Sequence, residues 1–330
     1  MQTLTAHYQI VTPMFIGGAN RDDTPEIRPP SIKGALRFWW RALHWGECLQ
    51  HADNDANKAL HLLYQQEAEL FGAATKEKHY GQGLCLLKLT EQTLRGEEKS
   101  WPENNDPGAG FLGYGLDKTQ SGEPHRRAIA QGRFTVELIL KAAITEQQIL
   151  QLKNTLIIWG LLGGLGSRNR RGFGSIAIHS LNKESFDFKN IESYIDTIKK
   201  QLGALSLAPP MPPFTAINQA IQITKAGHAK DYTSLMNQLG SQYKQARIHA
   251  GKGLKKLPFG LPLAGNKGES DEEHRRASPL FMHIHAIGQS YVAMISFIPA
   301  VFHPAHPQGN SLDFYQPLHD YLETMERVYP

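Results

Sequence analysis

Apolar positions along this chain switch between two periods, and the switches mark its elements. Residues 4–11 alternate apolar and polar, which predicts a strand. After a charged, proline-rich loop at 22–30, Ile32, Leu36, Trp39, Trp40 and Leu43 recur at helical spacing. A helix is expected from Ile32 to about Glu47, with Ser31 as its N-cap. Further expectations are a helix over 56–71, strands over 84–89 and 133–140, a strongly apolar helix over 146–162 and a strand over 175–180. Segment 92–132 is long, polar and rich in Gly and Pro, which marks an insertion that is functional or mobile.

With the helix at 56–71 set aside as an addition, the order is strand, helix, strand, strand, helix, strand. That is the split βαβ pattern of ferredoxin-like folds, an antiparallel sheet backed by two helices. RNA-recognition modules share this layout and offer the open sheet face to RNA. A connecting helix is expected at 190–202, and the proline-rich run 208–213 reads as a stiff linker. Beyond it the pattern partly repeats. A strand is expected over 216–224, and an amphipathic helix carries Tyr232, Leu235, Met236, Leu239, Tyr243 and Ala246. Strands 280–286 and 291–298 pair around Gly288, a C-terminal helix covers 312–328, and no final strand is evident. The fold class is therefore α+β, with two tandem ferredoxin-like (RRM-like) domains. The first spans 1–182 with the insertion at 92–132, the connector 183–213, and the second, degraded copy 214–330.

Composition narrows the function. The chain has 330 residues, 41% hydrophobic and 20% charged, with net charge +4. This mild basic bias fits a protein that touches nucleic acid over part of its surface, inside a larger assembly. Two cysteines, Cys48 and Cys85, form no C-x-x-C pair and no disulfide framework, so a reducing cytoplasm is expected. The N-terminus lacks the features of a signal peptide, and no apolar run is long enough to cross a membrane.

The strongest chemical signal is the run 164–174, Gly-Leu-Gly-Ser-Arg-Asn-Arg-Arg-Gly-Phe-Gly. Gly164, Gly166, Gly172 and Gly174 permit positive φ and close approach of a partner, and Arg168, Arg170 and Arg171 supply guanidinium forks suited to phosphate. No G-K-[ST] closes the loop, so it is not a mononucleotide loop. The alternative is a solvated turn. Lys33, Arg37, Arg41 and His44 form a basic stripe on the first helix, whose N-terminus at Ser31 also favours anions; a solvated face is the alternative. A second basic region holds Lys252, Lys255, Lys256, Arg275 and Arg276, partly offset by nearby acids.

Catalytic signals are weak. His44, Cys48 and His51 lie a turn apart without an evident fourth ligand. The H-x-x-H at His303 and His306 reads as incidental, and His283 and His285 are expected to face solvent or an interface. Asp22, Asp23 and Glu26 lack a second acidic cluster for a two-metal site. No catalytic residue, metal or other cofactor is assigned.

The paired glycines Gly164/Gly166 and Gly172/Gly174 resemble the glycine-rich signature of the RAMP superfamily of CRISPR-associated proteins. Residues 29–41, Pro-Pro-Ser-Ile-Lys-Gly-Ala-Leu-Arg-Phe-Trp-Trp-Arg, resemble the first-helix signature of one branch, the first Cmr subunits of type III-B effector complexes. Residues 12–19, 259–262 and 275–280 resemble further motifs of that branch, in both halves of the chain. The resemblance implies two tandem ferredoxin-like domains. It also implies a non-catalytic subunit that contacts CRISPR guide RNA and target RNA near the guide's 3′ end and packs against other Cmr subunits. RNA contacts carried over are Lys33, Arg37, Arg41 and the arginines of the glycine loop. The rival functions are a metal-independent endoribonuclease that processes guide precursors, and an assembly subunit without direct RNA contact.

Overall fold

The computed structural model describes residues 2–17, 25–74, 81–96, 107–116, 128–263 and 270–330. Asp22 and Asp23 and parts of segment 92–132 lie outside these residues. In chain order the first half contains β1 (Gln2–Ile10), α1 (Pro29–His51), α2 (Ala56–Phe71), β2 (Cys85–Gly96), α3 (Pro107–Leu112), β3 (Ile129–Leu140), α4 (Glu146–Leu162), β4 (Ile176–Leu181), β5 (Glu184–Ser185) and α5 (Ile191–Gly203). The second half contains β6 (Gln222–Ala229), α6 (Tyr232–His249), β7 (Leu261–Leu263), β8 (Asp271–Arg276), β9 (Leu280–Ile287), β10 (Ser290–Phe297), α7 (Gln316–Leu322) and β11 (Glu326–Tyr329).

The first sheet has the order β2-β3-β1-β4-β5 and the second β11-β6-β10-β9, each antiparallel. Leaving out the two-residue β5, both are the ferredoxin-like arrangement, in which the first strand lies centrally between the third and fourth. β1 holds its place because Leu4, Ala6, Tyr8 and Ile10 alternate inward onto the helices while Thr5, His7 and Gln9 face out. Helix α4 starts with a capping box formed by Thr145 and Gln148.

Three sequence expectations about the second half need correction. The last strand exists. β11 pairs with β6, and the expected helix over 312–328 stops at Leu322. The apolar spacing from Tyr315 to Met325 continues at helical period through the turn before β11, and only Val328 of that short strand is buried, so no alternation signals it. β6 begins at Gln222 rather than Ala216. Buried Asn218 turns the chain first, donating to the Ala216 and Pro299 carbonyls and accepting from the Ala220 N–H. The third correction concerns His283 and His285, which are buried.

The two units pack face to face. β9 is buried on both sides, and so is most of β10. Phe281, Ile287, Val292 and Met294 join the first core, and Leu280, Met282, Ile284, Ala293, Ile295 and Phe297 join the second. Helix α4 lies between the sheets, against β1 and β4 of the first and β9 of the second, which explains why it is apolar almost all round. The second sheet's face that an RRM-like module would offer to RNA is therefore covered. The first sheet's outer face carries Thr5, His7, Gln9, Lys88 and Glu137, with the half-exposed His7 imidazole but no Phe, Tyr or Trp from its strands. The run 208–213 is not a free linker: Ser206 and Ala208 cross α1 so closely that a Cβ at Gly46 would sit 1.9 Å from the Ser206 carbonyl oxygen.

At this seam His283 Nδ1–H donates to the Gly163 carbonyl (2.8 Å), so its Nε2 accepts from His285 Nδ1–H (3.2 Å). Tyr194 stacks on His285 with ring centroids 4.3 Å apart. Burial pulls His283 down to about 4 and His285 well below the usual histidine value, the latter further lowered by its neighbour. Both rings are neutral in the folded state but protonate in the unfolded chain near pH 6.5. The unfolded state therefore takes up more protons on acidification. Stability should fall as the pH drops from about 6.5 toward 4, by roughly 1.4 kcal/mol per pH unit for each histidine. Urea midpoints across this range check it, and a His283→Gln chain should show the smaller slope.

Candidate nucleic-acid interface

The first helix uses two residues of its basic stripe to hold its neighbour. Pro29 and Pro30 occupy its first turn, Arg28 is the N-cap, and Ser31 sits inside the helix rather than capping it. Ser31 and Ile32 turn their N–H groups back to the Arg28 carbonyl (3.0 and 3.3 Å), and two prolines remove further donors, so this N-terminus is poor at holding an anion. Arg37 Nε and Arg41 Nη1 both donate to Oε1 of Glu67 (2.5 and 2.6 Å), a buried carboxylate on α2, and Arg37 also reaches the Gly72 carbonyl. Arg37 and Arg41 fasten α2 to α1.

The glycine loop also serves the fold first. Gly166, Gly172 and Gly174 have positive φ. A Cβ at Gly174 would stand 2.0 Å from the Leu165 carbonyl oxygen, one at Gly166 2.7 Å from that of Phe15, and one at Gly164 2.7 Å from that of Gly174. Glycine thus permits close approach of the chain to itself. Leu165 N–H donates to the Gly174 carbonyl, Gly174 N–H to Pro13, and Ser167 N–H to Phe15. Arg170 is a strut. Its guanidinium lies 4.3 Å from the Phe281 ring centre and 5.1 Å from that of Phe38, and it donates to the Ser278 carbonyl (3.2 Å). Burial, then the Arg276 charge, lowers it to about 10, so it remains charged at neutral pH. Its own carbonyl accepts from the Met282 N–H, which ties the loop to β9. Ser31 and Gly34 meet Gly164, Gly166, Asn169 and Arg170 around a small cleft of about 390 Å³. Lys33 lines neither this cleft nor the groove described next.

Beyond Arg170 the loop opens on a groove of about 1030 Å³ at the seam between the units. Seven cations line it: Arg168, Arg170, Arg171, Arg247, Lys256, Arg275 and Arg276, with Glu272 as the one carboxylate of the described lining. Among the described residues no ion pair involves any of the seven. Their contacts are neutral: Arg168 donates to the Tyr114 carbonyl (2.8 Å), Arg276 to that of Val301 (3.0 Å), and Arg275 to those of Glu272 and His274. Arg171 and Arg247 lie over the Tyr243 ring. Burial, then repulsion from Arg171, lowers the Arg168 pKa. Positive charge is therefore concentrated here, seven cations against one carboxylate in the described lining, whereas Arg37 and Arg41 share the Glu67 carboxylate. Such a groove attracts a polyanion.

The groove gathers the three arginines of the glycine loop with Lys256, Arg275 and Arg276 from the second half; Lys252 and Lys255 lie outside it. Sequence reading missed Arg247, a polar-side residue of an amphipathic helix, and the aromatic contribution of the insertion. Helix α3 docks on α6 where Gly108 and Gly240 meet; a Cβ at Gly240 would lie 1.8 Å from the Gly108 carbonyl oxygen. This brings Phe111 and Tyr114 to the rim, Tyr114 with 78% of its surface exposed.

His44, Cys48 and His51 make no metal-type cluster among the described residues. His44 pairs with Glu47, and burial pushes the Cys48 thiol up to about 12. A cluster that sequence reading did not assemble is Asp271, His274 and His306. Among the described residues, no helix is long and apolar enough to cross a membrane.

The family model described as the RAMP superfamily matches residues 7–177. The chain is 28% identical over 300 residues to the CRISPR system Cmr subunit Cmr1-1 of Pyrococcus furiosus, covering 85% of this chain and 82% of that protein. Its fold is similar to the crystal structure of Cmr1 from Pyrococcus furiosus in the apo form, with a TM-score of 0.67 and 24% identity, over 100% of this chain and 99% of that one. It is also similar to a chain in the cryo-EM structure of the type III-B Cmr-beta bound to cognate target RNA, with a TM-score of 0.64 and 13% identity over 98% and 99% of the two chains.

Proposed function

The chain belongs to the RAMP superfamily, and we propose that it is a non-catalytic, RNA-binding subunit of a type III-B Cmr effector complex, contacting guide and target RNA near the guide's 3′ end. The observation that supports the RNA contact is the groove lined by seven cations that make no ion pair among the described residues. The sequence relation to a Cmr subunit over most of both chains supports the assembly. Contact is with phosphate and sugar, because arginine and lysine heads in an open groove read charge and backbone shape; guide–target pairing reads sequence. Tyr114 at the rim offers a face for one base to stack on. The absence of histidine from the described lining of the groove supports the non-catalytic reading over the endoribonuclease.

The test is reconstitution with the other Cmr subunits, guide RNA and target RNA, using the wild-type chain or Arg168→Glu/Arg276→Glu. The variant should still enter the complex but protect the guide's 3′ end less from added nuclease. Equal protection would leave only an assembly role. The isolated wild-type chain, incubated with guide precursor in EDTA, should leave the RNA intact; specific cleavage lost on a single histidine substitution would replace this reading by the endoribonuclease.

A further inference from the structure

A metal-ligand pattern lies just outside the groove. Asp271 and His274 stand three residues apart on β8, and His303 and His306 stand three apart in the loop after β10. Two x2-spaced pairs brought together from distant segments are the layout of structural zinc sites, here with carboxylate and imidazole in place of thiolates. The fold makes the pairs meet. His303 and His306 close a tight turn through the bond from His306 N–H to the His303 carbonyl (2.8 Å). β8 lies alongside, with the Arg276 guanidinium on the Val301 carbonyl.

One potential ligand atom from each of Asp271, His274 and His306 lies within 4.8 Å of the other two. Oδ2 of Asp271 is 2.5 Å from His306 Nε2 and 2.9 Å from His274 Nδ1. One carboxylate thus accepts from two imidazoles, and the His306 bond first, then the His274 backbone N–H, hold its pKa far below the usual range. Ligands at about 2.0–2.1 Å from a tetrahedral zinc ion stand roughly 3.4 Å apart, so small ring movements suffice to admit one. The His303 ring lies against that of His274, with centroids 4.6 Å apart.

We propose that Asp271, His274 and His306 bind a divalent zinc ion, which takes the place of the protons that the two rings share with the carboxylate. The fourth position falls to water or, if it gives up its bond from the Ala305 N–H, to His303. The nitrogen-rich ligand set favours zinc over magnesium or calcium, which take oxygen ligands. The site fills a structural need. The β7–β8 hairpin rests on a small core of its own, Leu257, Leu261, Leu263 and Phe302. A metal clip would fix the strand whose next two residues, Arg275 and Arg276, line the groove.

The proposal does not depend on RNA binding and is tested without it. The full chain is freed of metal with a chelator and titrated with Zn²⁺ against a chromophoric competitor. Wild type should bind one equivalent and gain thermal stability; His306→Ala and His274→Ala should bind at least tenfold more weakly, while His61→Ala, a histidine distant in sequence on α2, binds as wild type does. A wild-type chain that takes up no zinc, or triple agreement of wild type, His274→Ala and His306→Ala, overturns the site. Substitution of wild type by Co²⁺ needs no variant. Intense visible bands of a four-coordinate ion are expected, and the pale spectrum of a six-coordinate aquo ion contradicts the assignment.

Discussion

A chain carrying Arg171→Glu, Arg247→Glu and Arg275→Glu should bind single-stranded RNA roughly 100-fold more weakly than wild type at about 0.1 M salt, with its melting temperature little changed. The size follows from charge. Each position loses a phosphate contact and places an anion in a groove whose described lining has one carboxylate against seven cations. Three lost contacts should flatten the slope of log K against log salt by about 2, at about 0.7 per contact for single strands. The three residues make no ion pair among the described residues, so their loss orphans no acid. A control distinguishes the groove from the first helix. Arg37→Ala/Arg41→Ala leaves the Glu67 carboxylate buried without its partners and should lower the melting temperature while the salt slope stays as in wild type. The opposite pattern, with RNA binding lost in the helix variant and kept in the groove variant, would move the RNA surface to α1.

The second large effect is on stability. Gly174→Ala should cost about 3 kcal/mol or more, read as a shift in the urea midpoint. The residue has φ +59°, and the new Cβ would stand 2.0 Å from a backbone oxygen. Neither side can retreat: Leu165 N–H is bonded to the Gly174 carbonyl, and Gly174 N–H to that of Pro13. A variant as stable as wild type but unable to bind RNA would show that the glycines serve a ligand.

Much of the architecture is legible in the sequence because periodic burial reports it. The α2 and α4 boundaries, the β9–β10 hairpin and the first ferredoxin-like order follow from apolar spacing and caps. β11 is not legible, because a four-residue edge strand with one buried side chain has no period to detect. The seam histidines fail for a related reason. Alternation tells which residues share a face of β9, but not that the first unit covers that face. The charged residues divide in the same way. Motif spacing marks both Arg37 and Arg168 as candidates, yet Glu67, thirty residues from Arg37, pairs with one while the other makes no ion pair among the described residues. Arg247 joins the groove only because the glycine loop and the insertion pack around α6. Distant partners decide each of these cases, and local pattern does not contain them.

The most direct test of the groove is photocrosslinking of the wild-type chain to RNA carrying 4-thiouridine, with the attached peptides identified by mass spectrometry. Attachment should fall at Tyr114, in the glycine loop around Arg168 and Arg171, and at Arg275–Arg276. Attachment confined to the α1–α2 surface or to the outer face of the first sheet would contradict the account.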